Sequence, residues 1–92
     1  MRIISQNGTI DVPYEMSAIR NDDKLIILCM VGETGKGSVI ARYSTSEKAQ
    51  KAMEMLREKY KDYAKATNKS NFFTMFDYPK VFQFPQDEDV EV

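Results

Sequence analysis

The sequence predicts an α+β domain in which an antiparallel sheet of about five strands packs against one long helix. Three observations support this fold class. The first half of the 92-residue chain contains short segments rich in β-branched residues, separated by turn-forming residues. Residues 44–66 then repeat apolar side chains at helical spacing. Residues 81–84 alternate apolar and polar side chains, as a closing strand does.

Residues 2–5 and 9–12 are predicted to form the first two strands, joined as a hairpin. The Asn7-Gly8 pair lies between them, and this pair favours a type I′ turn, which needs positive φ at both central positions. Pro13 is expected to end the second strand, because proline has no N–H to donate to a neighbouring strand.

Residues 17–20, 24–31 and 38–43 are predicted to complete the sheet. A turn-rich trio, residues 21–23, separates the first two of these strands. The run from Leu25 to Val31 is continuously apolar, which predicts a central strand buried on both faces, by the core or by a partner chain.

The helix is predicted to begin after Ser44, which acts as the N-cap, with Glu47 completing a capping box, and to end near Ala66. Its buried face is predicted from apolar side chains three and four residues apart. These side chains are Ala49, Ala52, Met53, Leu56, Tyr60, Tyr63 and Ala64.

The chain is predicted to form one domain over residues 1–85, with a solvated acidic tail over residues 86–92. Eight of the ten aromatic residues lie between Tyr60 and Phe84. One helix and one small sheet cannot bury all of these together with the apolar central strand. The remaining apolar surface predicts a homo-oligomer or a ligand site.

Composition excludes several classes of function. The chain has no histidine and one cysteine, Cys29, which excludes a Cys/His zinc site, an internal disulfide and any imidazole-dependent catalytic triad. Cys29 lies within an apolar strand, where a small core role is expected. We therefore expect no enzyme activity, no cofactor and no metal ion.

Charge and hydropathy constrain the partners and the location of the protein. Residues 1–80 carry 13 basic and 10 acidic groups, whereas residues 81–92 carry four acidic groups and no basic one. This distribution is not typical of proteins that bind double-stranded DNA. No apolar run approaches about 18 residues, and the N-terminus lacks a signal core, so a cytoplasmic protein without membrane contact is expected.

The glycine-rich segment 32–38 is predicted to be a hairpin loop and not a phosphate-binding loop. A Walker A loop has about four residues between its first glycine and the Gly-Lys pair, and a helix follows it. Here two residues separate Gly32 from Gly35-Lys36, and a strand is predicted to follow.

A nucleotide-sized pocket is predicted from basic and aromatic residues on or beside the sheet, because arginine forks bind phosphate and aromatic faces stack on bases. The basic members are Arg20, Lys24, Lys36 and Arg42, and the aromatic members are Tyr43, Phe73 and Tyr78. The alternative interpretation is that the aromatic rings belong to the core and the charges solvate the surface.

Three segments carry a resemblance to known proteins. They are RIISQNGTIDVPYE at residues 2–15, YSTSEKAQKAMEMLR at 43–57, and FQFP at 82–85 before an acidic end. With them the chain resembles a group of small, functionally unassigned phage and prophage proteins of Gram-positive bacteria. The resemblance implies a phage protein in the host cytoplasm that acts by binding, often against host defence.

These observations favour a non-enzymatic phage-type protein that counters host defence by sequestering a nucleotide-derived signal. One alternative is a protein-binding inhibitor of a bacterial defence nuclease or effector, resembling an anti-CRISPR protein, which would use the acidic tail and an exposed sheet edge. A structural or interaction protein is a further alternative. A small enzyme is the least favoured, because histidine is absent.

Overall fold

The computed structural model describes residues 1–32, 35, 37–68 and 81–92. It confirms an α+β fold with one helix. The strands are β1 (Arg2–Ile4), β2 (Asp11–Pro13), β3 (Ser17–Asp22), β4 (Leu25–Met30), β5 (Ser38–Arg42) and β6 (Val81–Gln83), and the helix is α1 (Ser46–Asn68). Two 3₁₀ turns cover Tyr14–Met16 and Asp87–Asp89.

The predicted single sheet of about five strands is wrong, because the strands form two three-stranded sheets. One sheet has the order β2-β1-β6, in which β1 pairs antiparallel with β2 and parallel with β6. The other has the order β3-β4-β5 and is antiparallel throughout. The 3₁₀ turn Tyr14–Met16 separates β2 from β3, and this change of direction divides the two sheets.

The predicted first hairpin is confirmed, although its turn differs from the expected type. Ser5 donates its N–H to the carbonyl of Ile10 at 2.9 Å. Positive φ falls on Gly8, at 79°, and not on Asn7, so the turn is not type I′. Asn7 instead accepts hydrogen bonds from Ser5 and Thr9 through its side-chain oxygen.

Strand β4 is the central strand of its sheet and is buried on both faces. Ile26, Ile27 and Leu28 are consecutive and buried, although neighbouring side chains on a strand point to opposite faces. Gly37 approaches this strand closely at a φ of 82°, and a β-carbon there would lie 2.6 Å from the Leu28 carbonyl oxygen. Glycine is therefore required at position 37.

One core joins both sheets to the helix. Its most deeply buried large side chains are Ile3, Ile26, Leu56 and Phe84. The predicted helical stripe supplies Ala49, Ala52 and Leu56, which are almost completely buried. Tyr14 of the first 3₁₀ turn stacks on Tyr60 of α1, with ring centroids 4.4 Å apart. Side chains of residues 63–68 and the aromatic segment 72–80 lie outside the described residues.

Helix α1 is capped by Thr45 and not by Ser44, so the predicted N-cap is wrong by one residue. The Thr45 hydroxyl accepts the N–H of Lys48 at 3.2 Å, and its carbonyl accepts the N–H of Ala49 at 3.3 Å. Lysine therefore occupies the position where the capping box needs glutamate. Ser44, Thr45 and Ser46 can each cap a helix, so composition alone did not distinguish them.

The segment expected to be a solvated tail instead contacts the body of the protein through Gln86, Asp87 and Val90. Val90 is buried in the core, at 3% exposure. The Asp87 carboxylate accepts the N–H of Ser44 at 2.7 Å and the ammonium of Lys48 at 3.4 Å. Lys48 also donates to the Asp87 carbonyl at 2.9 Å. These contacts place the C-terminal segment against the first turn of α1, while Glu88, Asp89 and Glu91 are exposed.

Asp87 has a lowered pKa as a result. The backbone N–H of Ser44 contributes most, and the Ser44 hydroxyl and the Lys48 ammonium lower the pKa of the Asp87 carboxyl further against the opposing effect of desolvation. A carboxyl whose pKa is lower in the folded state stabilises the fold above its unfolded pKa. This stabilisation is lost as the pH falls through the folded value.

Replacing Thr45 with alanine should destabilise the protein by about 1 kcal/mol, because the N–H of Lys48 loses its side-chain acceptor. Urea unfolding monitored by circular dichroism measures this change. Thr45→Ser keeps the hydroxyl and should remain close to wild type. Ser46→Ala, one position inside the helix, is the matched alanine control. Equal effects of Thr45→Ala and Ser46→Ala would contradict the assigned N-cap.

Replacing Asp87 with asparagine should lower the free energy of unfolding at about pH 7, where the carboxylate is charged. Near pH 3 the difference in this free energy between variant and wild type should become smaller. Urea midpoints at the two pH values measure the change. Asp89→Asn is the matched control, since the exposed Asp89 carboxylate has no hydrogen bond within the described part of the chain. If the stability difference between Asp87→Asn and wild type is the same at both pH values, the charge of Asp87 does not stabilise the fold.

Candidate functional site

Three of the predicted basic residues lie on or beside the β3-β4-β5 sheet. Arg20 of β3 pairs with Ile27, and Arg42 of β5 pairs with Leu25. Ile27 and Leu25 are two residues apart on β4, so both arginines project from the same face on opposite sides of that strand. Lys24 lies in the turn before β4 and is exposed. The predicted members Lys36, Phe73 and Tyr78 lie outside the described residues.

Tyr43 is not available to stack on a base, which corrects its predicted role. Its side chain is 5% exposed and belongs to the core. Its hydroxyl donates to the Pro85 carbonyl at 2.8 Å. Burial raises the pKa of the Tyr43 phenol, and the nearby Asp87 charge raises this pKa further. Tyr43 therefore supports the C-terminal segment.

The start of α1 was expected to assist Arg42 in binding an anion through its partial positive charge. In the structure Asp87 already occupies this position, because its carboxylate accepts the N–H of Ser44 immediately before the helix. The Arg42 backbone is also engaged, since the Gln6 side chain accepts from its N–H and donates to its carbonyl. The predicted site around Arg42 therefore lacks the helix terminus that it needs.

A polar groove lies between β3 and α1, with a volume of about 530 Å³. This volume falls in the usual range of small-molecule sites. We call it the β3–α1 groove. Its lining residues are Ile19, Arg20, Asn21, Gln50, Met53, Glu54 and Arg57. Of the predicted site residues that the structure describes, Arg20 alone lines it.

The α1 wall of the groove is formed by side chains at regular helical spacing. Gln50, Met53, Glu54 and Arg57 are spaced three and four residues apart, so they share one face of α1. Met53 packs against the core, as does Ile19 on the facing strand. The groove therefore has an apolar part anchored in the core and charged groups on its α1 wall, while Arg20 lies at its β3 edge.

Asn21 has an unsatisfied hydrogen-bonding group at this groove. Its side-chain nitrogen is buried and has no hydrogen-bond partner among the residues that the structure describes. A buried donor without a partner costs about 1–3 kcal/mol, so such groups are uncommon in folded proteins.

The charge of the groove favours an anion. Arg20 and Arg57 carry positive charge, and Glu54 carries the one negative charge among the lining residues that the structure describes. The Arg57 side chain is exposed and makes no hydrogen bond or ion pair within residues 1–32, 35, 37–62 and 81–92. Its guanidinium can therefore bind a ligand without breaking an existing contact there.

A second groove lies between α1 and Phe82, with a volume of about 310 Å³. Its charged lining residues are Lys51, Glu54, Glu58, Lys59 and Asp62. Acidic groups outnumber basic ones here, so this groove is poorly suited to a phosphate. It does not compete with the β3–α1 groove as an anion site.

Sequence reasoning missed Asn21, Gln50, Glu54 and Arg57 as site residues. Arg57 and Arg20 are 37 positions apart, and only the packing of α1 beside β3 brings them to one groove. A polar stripe adjacent to the apolar stripe of α1 was visible in the sequence. Such a stripe is usual on any solvent-facing helix, so it did not identify a site.

Other types of site find little support in the described structure. Among the described residues, no group of three or more Cys, Asp or Glu side chains is placed to hold a metal ion. No helix in that part of the chain is both long and apolar enough to cross a bilayer. Cys29 is partly buried and has a free thiol.

Comparisons of this chain with protein-family profiles, with curated protein sequences and with solved structures find no match. The resemblance to small phage and prophage proteins therefore stays a prediction. The candidate site depends on the geometry of the β3–α1 groove alone.

Proposed function

We propose that this protein is a non-enzymatic binding protein that sequesters a nucleotide-derived signal in the β3–α1 groove. The observation that carries the proposal is the exposed Arg57 side chain, which has no partner among the described residues, on the α1 wall of a groove whose β3 wall includes Arg20. A phosphate in this groove can accept two parallel hydrogen bonds from the Arg57 guanidinium. In the phage context expected from the sequence, removal of such a signal would counter host defence.

The two walls supply different parts of the binding energy. Each charge-assisted hydrogen bond to phosphate contributes about 1.5–3 kcal/mol. Ile19 and Met53 offer apolar surface to the face of a base, in the role first predicted for Tyr43. Methionine adapts its shape to irregular surfaces, which suits a flat heterocycle.

The residues of the groove favour binding over catalysis. Its described lining contains no Ser, Thr, Cys, Lys or Tyr side chain that could serve as a nucleophile. The one carboxylate, Glu54, is exposed on the helix and lacks a second carboxylate in that lining to share general acid and base roles. A protein of this kind would act by holding its ligand.

Exposed apolar side chains support the proposal that the protein forms a homo-oligomer. Val31 donates its N–H to the carbonyl of Met16, which brings these two exposed residues together at one end of the β3-β4-β5 sheet. Val39 is exposed on β5 of the same sheet. A second copy of the chain is the simplest partner that would cover such surface.

A protein-binding inhibitor is the second candidate function. The observation that favours it is β3, a six-residue strand at the edge of its sheet, which pairs with β4 alone among the described strands. A strand of a defence nuclease or effector could add to this edge. The exposed acidic residues Glu88, Asp89 and Glu91 would contact a basic surface.

Replacing Arg57 with alanine should weaken ligand binding roughly tenfold or more, because a charge-assisted contact is lost. Calorimetry against a panel of cyclic and ADP-ribose-type nucleotides measures the change. Arg42→Ala is the matched control: it removes an arginine from the same protein but not from the groove. If Arg42→Ala weakens binding and Arg57→Ala does not, the site lies at the originally predicted position. If no nucleotide binds while the protein still protects a phage, the inhibitor function replaces this proposal.

At micromolar concentrations the protein should scatter light as a multiple of 10.6 kDa, because Met16, Val31 and Val39 leave apolar surface exposed on the single chain. Val31→Lys should shift the population toward the single chain, since it places a charge in the apolar patch. Lys24→Gln, an exposed change away from this patch, is the control. A mass of about 10.6 kDa for the wild type across this range would disprove oligomer formation.

A further inference from the structure

We infer that two copies of this chain pack the outer faces of their β3-β4-β5 sheets together about a two-fold axis parallel to the strands, with Asp22 of each copy opposite Arg42 of the other. The outer face is the face of this sheet that points away from α1. This inference rests on the proposed homo-oligomer, for which it names the contact surface and the symmetry.

The side chains of the central strand identify the outer face. Ile26 and Leu28 of β4 belong to the core that the sheet forms with the helix, whereas Ile27 is buried but lies outside that core. Because neighbouring side chains on a strand point to opposite faces, Ile27 projects from the outer face. Leu25, two residues before it, projects from the same face.

Two opposite charges flank the centre of this face. Asp22 of β3 and Arg42 of β5 both pair with Leu25, so the three side chains form one row across the outer face. In the next row Ile27 pairs with Val39. The outer face therefore has an apolar centre line along β4, with a negative charge on its β3 side and a positive charge on its β5 side.

This distribution of charge is self-complementary for one orientation of a second copy. A two-fold axis parallel to the strands places β3 of one copy over β5 of the other at the same level, so Asp22 faces Arg42 twice. Leu25 and Ile27 then face the same residues of the second copy. An axis across the strands places β3 over β3 in the opposite direction, and neither charge meets its counterpart. Opposite charges in contact fix the relative orientation of two partners.

Both charged side chains are available to a second copy. Asp22 and Arg42 are exposed, and neither side chain makes a hydrogen bond or ion pair within the part of the chain that the structure describes. They lie on strands to either side of β4, about 10 Å apart, which is too far for an ion pair within one chain. Their pairing between copies therefore breaks no existing contact among those residues.

Apolar surface on the same face supplies the driving force for association. Val31 continues the alternation of Ile27 along the chain and is 66% exposed, and Val39, the strand partner of Ile27, is 39% exposed. Burial of such surface favours the dimer. Arg20 would lie opposite Val39 of the second copy. Since Arg20 is on an outer strand of the sheet, its stem can cover the valine while its guanidinium reaches solvent.

Sedimentation of the full chain in the analytical ultracentrifuge tests this arrangement by charge reversal. The wild type should sediment as twice 10.6 kDa. Asp22→Arg and Arg42→Asp should each raise the dimer dissociation constant roughly tenfold or more, because each change replaces two ion pairs with two like-charge contacts. Asp89→Arg, an exposed change in the C-terminal segment, is the matched control and should leave the constant unchanged.

An equimolar mixture of Asp22→Arg and Arg42→Asp should associate to within about threefold of the wild-type affinity, because each variant supplies the charge that the other lacks. Recovery in the mixture requires contact between copies, so an effect confined to one chain cannot produce it. Circular dichroism checks that each variant is folded. If a charge reversal prevents folding, Asp22→Asn and Arg42→Gln remove the charges with less change in shape, and each should raise the dissociation constant several-fold.

Three results would overturn the inference while leaving the proposed homo-oligomer intact. They are a wild-type mass of more than two chains, a dimer that neither charge reversal weakens, and a mixture that does not recover the affinity. A wild type that sediments as a single chain at all concentrations would disprove the homo-oligomer and the inference together. Ligand binding in the β3–α1 groove is measured separately by calorimetry, so its failure is distinguishable from each of these results.

Discussion

Gln6 holds the two sheets together by taking the place of a neighbouring strand beside β5. Its side chain accepts from the Arg42 N–H at 2.9 Å and donates to the carbonyls of Arg42 and Pro85 at 3.0 and 3.1 Å. Its own N–H donates to the Ile40 carbonyl at 2.8 Å, and its carbonyl accepts from Gln86 at 2.7 Å. One residue thus protects a sheet edge, joins the two sheets and fixes the C-terminal segment.

The proposed ligand site lies at the opposite edge of the same sheet. Gln6 contacts the β5 edge of this sheet, and the β3 edge lies beside the helix and forms the groove. Strand β4 separates the two edges and is buried through Ile26, Ile27 and Leu28. Arg20 therefore projects from a strand whose sheet is held in place on its far side, which is the rigidity that a binding site requires.

Local patterns in the sequence predicted the positions of the strands and the helix well, but they did not predict which strands pair with each other. The Asn-Gly hairpin, the buried β4 run and the apolar stripe of α1 depend on residues close together in the chain. The parallel pairing of β1 with β6 depends on contacts between residues about 80 positions apart, which no local pattern encodes. The candidate site shows the same difference. Arg20 was predicted from its strand, whereas the burial of Tyr43 in the core and the position of Arg57 in the groove depend on packing between distant segments.

The parallel pairing of β1 with β6 also has a consequence for how the chain folds during synthesis. The β3-β4-β5 sheet and the start of α1 use contacts between neighbouring segments, and such contacts form early. The β2-β1-β6 sheet can be completed only after Val81–Gln83 has been synthesised, about 80 positions after β1. Until then β1 has one open edge and Ile3 lacks the contact with its strand partner Phe82. Pairing of β1 with β6 is therefore expected to form later than the local pairings of the β3-β4-β5 sheet, because it closes a much longer loop.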